Sequence, residues 1–120
     1  MAATALVETL KNAFRLEKKE GLIVDAIGLA PAYHGLVTDQ YILGVSAPSL
    51  ANLHESDQTR RIIKLLFTHL TLEERRMINC VRVFSNVKDL DDHKYNDFDD
   101  YPYEGYEGIQ RKLPDLYPVY

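Results

Sequence analysis

The side chains here that could ligate or react are four histidines, one cysteine, a run of aspartates and a few serines. His34, His54, His69 and His93 stand far apart. No two have the i, i+4 spacing that puts a pair of imidazoles on one metal, and no cysteine cluster joins them. They read as surface or capping histidines. Asp89, Asp91, Asp92, Asp97, Asp99 and Asp100 offer the hard oxygens that calcium takes, without the glycine and closing glutamate of a helix-loop-helix calcium loop. A solvated acidic segment is the plainer reading. Cys80 has apolar neighbours and no adjacent base; Arg82 alone gives weak support for a thiolate, so the thiol reads as a small hydrophobe. Ser46 and Ser49 flank Pro48 without the glycines of a nucleophile elbow. No glycine-rich phosphate loop occurs. The sequence therefore assigns no catalytic residue, no metal and no cofactor.

Three weaker constellations remain. Residues 30–40 form a loop with Pro31, Gly35 and Asp39, and its Tyr33, His34 and Asp39 are candidates for binding a small ligand or substrate. Arg60, Arg61 and Lys64, with Arg75 and Arg76, are candidates for phosphate contact. Residues 1–88 hold eleven Lys/Arg against nine Asp/Glu, however, and residues 89–120 hold three against nine. A body of +2 with an acidic end is a poor footprint for nucleic acid, unless the acidic end masks a basic groove. The third constellation is that end itself, which carries six of the eight tyrosines. Phe98, Tyr101, Tyr103, Tyr106 and Leu116 are candidate anchors, because tyrosine supplies contact area at low entropy cost.

The elements that must position these groups follow from periodicity. Leu6, Leu10 and Phe14 recur at steps of four, predicting a helix over Ala3–Lys19 with Thr4 as N-cap and Gly21 as stop. Leu22–Leu29 and Tyr41–Ala47 read as antiparallel strands. A second helix starts near Ser56–Asp57 and runs to about His69, with Ile62, Ile63, Leu66, Phe67 and Leu70 as its apolar stripe. Thr71 and Glu74 have capping-box spacing, which predicts a short helix over Leu72–Arg76. Met77–Ser85 is the third strand.

The expected fold is α+β: a small three-stranded, mainly antiparallel sheet, two main helices on one face, and an irregular tail. Residues 1–88 form the compact domain, and 89–120 pack on it or on a neighbouring subunit. The α-β-β-α-β order resembles that of compact RNA-binding and BolA-like domains, an order that many unrelated proteins share, and no motif identifies a family.

Alternation divides each strand by face. Ile23, Ile27, Leu29, Tyr41, Leu43, Val45, Val81 and Val83 form the natural seat for the helices. Val24, Ala26, Gly28, Ile42, Gly44, Ser46, Cys80, Arg82 and Phe84 form a second, smaller-featured face that another layer should cover.

At 120 residues one domain is expected. Runs such as Leu22–Val24 fall far short of the roughly 20 apolar residues that span a bilayer, and the N-terminus reads as an amphipathic helix. One cysteine gives no internal disulfide, which suits the cytoplasm. The favoured reading is a non-catalytic interaction or assembly domain, a homodimer or the partner of another protein. The rivals are a small enzyme or ligand binder using the 30–40 loop, and a nucleic-acid binder masked by its tail.

Overall fold

A computed structural model describes residues 3–31, 40–93 and 116–120. In chain order the elements are α1 (Ala3–Glu17), β1 (Ala26–Pro31), β2 (Tyr41–Ser46), α2 (Glu55–His69), α3 (Leu72–Arg76), β3 (Ile78–Phe84), α4 (Val87–His93) and β4 (Leu116–Pro118), with 3-10 turns at Lys18–Glu20 and Pro48–Leu50. The class is α+β. No described helix is long and apolar enough to cross a membrane.

The sheet differs from the expected one in two ways. It has four strands, ordered β3-β2-β1-β4, and it is mixed. β1 pairs antiparallel with β2, from Ala26↔Ser46 to Pro31↔Tyr41. β3 pairs with β2 in parallel, because residues 47–77 carry α2 and α3 back along the sheet and so supply the long crossover that parallel pairing needs. The fourth strand comes from the segment expected to be irregular. β4 pairs antiparallel with β1 through Gly28↔Leu116, Ile27↔Tyr117 and Ala26↔Pro118. Pro118 fits because β4 is an edge, where a missing N–H breaks no inner ladder.

The irregular tail is corrected at its start too, since residues 89–93 belong to α4. Asn86 accepts the Asp89 backbone N–H through Oδ1 at 2.8 Å, closing that helix's first turn. Residues 94–115 and the 32–39 loop lie outside the described residues.

Smaller corrections concern phase. Thr4 lies inside α1 and is not its cap. β1 begins at Ala26, four residues later than expected, and the alternation slips by one at Asp25. Leu22 and Val24 therefore join the core together with Ile27 and Leu29, whereas Ile23 is only half-buried.

The core fills the space between the helices and one face of the sheet. Leu6, Leu10 and Phe14 of α1 meet Ile62, Leu65 and Leu66 of α2 above Ile27, Leu29, Leu43 and Val45. Each such side chain contributes about 1.5–3 kcal/mol by leaving water. On the other face Ala26, Gly28, Ala30, Ile42, Gly44 and Ser46 are all buried. Cys80 packs there against Ala30 and Ile42. The short α4 packs along β2 and β3 with Leu90 fully buried, outside the cluster formed by α1 and α2.

Two polar devices fix the helices. Glu17, the last residue of α1, takes Arg61 Nη2 on one carboxylate oxygen and His69 Nε2 on the other, each at 3.4 Å. At the start of α3, Thr71 Oγ1 accepts the Glu74 N–H at 3.2 Å while Glu74 Oε1 accepts the Thr71 N–H at 2.8 Å, the reciprocal box that the spacing predicts. Thr71→Ala removes one half of that box, and a urea titration should show a loss of about 1 kcal/mol.

Candidate functional site

The loop candidates Tyr33, His34 and Asp39, and the tail candidates Phe98, Tyr101, Tyr103 and Tyr106, lie outside the described residues. Leu116 is half-buried in β4. The basic candidates are dispersed over two helices and differently engaged. Arg60 pairs with Asp57, and Arg61 is turned inward to Glu17. Arg75 donates through Nη1 to the Leu70 carbonyl at 2.9 Å, and its guanidinium lies 4.5 Å from the Phe67 ring centre. Lys64 and Arg76 are exposed.

The histidines with described side chains serve the fold. His54 is the N-cap of α2, its Nδ1 accepting the Ser56 N–H at 3.2 Å. This moves the helix start one residue ahead of the expected Ser56. His69 faces Glu17. Ser49 is likewise structural: its Oγ accepts the Ile23 N–H at 2.9 Å. Among the described residues no group of three His, Cys, Asp or Glu is placed to hold a metal.

What the structure does bring together is apolar. Ile63, Leu66, Phe67, Arg75, Ile78 and Cys80 line much of a groove of about 210 Å³ between α2 and β3. Phe67 is 65% exposed, Leu72 54% and Ile63 40%. Ile63 and Phe67 were expected in the core-facing stripe, and the structure places them outside it. Thr59, Ile63 and Phe67 form an i, i+4 row, and Arg60 and Lys64 form a parallel basic row beside it. The aromatic ring is held in place by Arg75, a stack worth about 0.5–1 kcal/mol at an exposed site.

A signal for this groove was present in the sequence. At about 100° per residue, the arc from Leu65 through Ile62 and Leu66 to Ile63 and Phe67 covers more than half of the helix circumference. A helix facing one core uses a narrower stripe. The surplus is the groove.

Comparison with protein-family models, with curated proteins and with solved structures found no match to this chain. Function must be argued from the geometry.

Among the described residues two buried side-chain oxygens are unpartnered: Ser46 Oγ and Asp25 Oδ1. Ser46 is fully buried on the α4 side of β2, where a hydroxyl without a hydrogen bond costs about 1–3 kcal/mol. Ser46→Ala should therefore raise stability by roughly 1 kcal/mol in chemical denaturation. A loss instead would show that the hydroxyl bonds to something in solution.

Proposed function

We propose that this chain is a non-catalytic protein–protein interaction domain that self-associates through the groove between α2 and β3. The observation that carries this reading is the exposed row of Ile63 and Phe67 on α2, which lines one concavity together with Leu66 and Ile78. A lone exposed apolar side chain is ordinary, but two large ones lining one apolar concavity form a patch of the kind that marks interfaces. Phe67 is also pre-set by Arg75, so less rotamer freedom is lost when a partner covers it. Burying the ring contributes about 1.5–3 kcal/mol per copy, enough to make it a hot spot.

The groove is lined mostly by aliphatic and aromatic side chains, which offer contact area. The basic row of Arg60 and Lys64, beside Ile63 and Phe67 on α2, would set orientation more than affinity.

The test is the mass of the full chain in solution as a function of concentration. Phe67→Asp should weaken self-association by at least about tenfold, an effect of about 1.4 kcal/mol, and circular dichroism should stay unchanged because Phe67 contributes little to the core. A full chain that remains monomeric at its solubility limit sinks the proposal. A dimer indifferent to Phe67→Asp moves the contact elsewhere.

A further inference from the structure

The opposite edge of the sheet is built differently, and it carries an inference beyond the α2/β3 groove. β4 is an extended segment laid into a channel between the outer edge of β1 and the last turns of α1. Its backbone extends the sheet through Leu116, Tyr117 and Pro118, and the Val119 N–H continues the ladder to the Asp25 carbonyl at 3.0 Å. The Val119 side chain is fully buried in the main core, and Tyr117 packs against that core. α1 closes the other side. Arg15 Nε donates to the Val119 carbonyl at 2.6 Å, a charge-assisted hydrogen bond. Lys18 Nζ stands 4.7 Å from the centre of the Tyr120 ring.

This is the anatomy of peptide recognition by strand addition: main-chain hydrogen bonds for affinity, a pocket for an alternate side chain, and fixed cations at the end. The covalent chain imposes little on it. Twenty-two residues, 94–115, separate α4 from β4. At about 3.3–3.6 Å per residue they reach at most roughly 80 Å, enough to serve this sheet or a neighbour's. With the segment withdrawn, the outer N–H and C=O groups of Ala26–Gly28 would face solvent, and an open edge of that kind templates another strand.

We propose that the channel between α1 and β1 is a peptide-binding groove for extended apolar–Tyr–Pro–Val–aromatic segments, and that its exchange ligand is segment 116–120 of a second copy of this chain. Reciprocal exchange keeps every contact of the single chain in both copies and closes the pair with two-fold symmetry. It uses the sheet edge remote from Phe67, so it stands or falls apart from the self-association proposed above.

The experiment uses the full chain with Phe67→Asp, so that contact through the other groove does not contribute. A photo-crosslinking phenylalanine replaces Tyr120, which is half-exposed and tolerant of another aromatic. Light and isotopically heavy chains are unfolded together, refolded and irradiated. Exchange predicts products of dimeric mass with one light and one heavy chain in statistical proportion, linked between position 120 and α1 near Lys18. A second arm needs no photo-crosslinker: a labelled peptide of residues 113–120 is titrated into the full chain carrying Val119→Asp, which weakens the resident segment. Saturable binding is expected, and Val119→Asp in the peptide should reduce it by at least about tenfold. A peptide that raises the melting temperature of a partly unfolded Val119→Asp chain supports the groove equally. Crosslinks confined to single chains overturn the exchange, and no saturable peptide binding together with no thermal shift overturns the groove itself.

Discussion

The structure depends on one constraint: a strand that lies parallel to its predecessor must begin at the same end of the sheet, so the chain has to travel back before it can pair. Residues 47–77 make that journey. The 3-10 turn at Pro48–Leu50 takes the chain off β2, α2 runs back across the core, and the capped α3 turns it into β3. Both ends of the crossover are tied to the sheet: the Tyr41 N–H donates to the Met77 carbonyl, and the Ala47 N–H donates to the Phe84 carbonyl, each at 2.8 Å. The core is a by-product of the route. Laying α2 over the sheet puts Ile62, Leu65 and Leu66 opposite the strand row of Ile27, Leu29, Leu43 and Val45, and α1 fills the space left beside it. The groove between α2 and β3 exists for the same reason. A crossover helix seated over a sheet covers the centre well and leaves a crevice where the sheet ends.

Much of this could be read from residue order. The helix over Leu72–Arg76, the stop at Gly21 with φ 88°, and the strand near Val81–Val83 all rest on short-range chemistry that the chain carries locally. What escaped depends on partners distant in sequence. β4 is three residues ending in proline, and it is a strand only because the edge of β1 lies alongside it. The parallel β2/β3 pairing is a property of the crossover, since either strand taken alone would suit both orientations. Residues 22–29 carry two alternations, joined at Asp25, whose N–H goes to the Ser46 carbonyl and whose carbonyl receives the Val119 N–H, and that junction is set by distant partners. α4 was obscured by its aspartates, poor helix formers that Asn86 compensates at the first turn.

The site was less legible than the fold, for a related reason. Titratable residues attract attention in a sequence, and those with described side chains are mostly absorbed by the architecture: His54 caps, Arg61 and His69 share a carboxylate, and Arg75 is bonded to Leu70 and stacked on Phe67. The surface with something left over is apolar, and apolar residues on a helix look like core until the sheet beneath them is known to end. Ile63 and Phe67 sit just past that end.

The position of Glu17 has a mechanical consequence. It closes α1 within one turn of Arg15 and beside Lys18, the two cations that hold segment 119–120, and it also grips α2 at His69, two residues from Phe67. A single carboxylate thus joins the end of α1 to two turns of α2. Because both Arg61 and His69 hang on that one carboxylate, the end of α1 is tied at two points to α2 above the sheet.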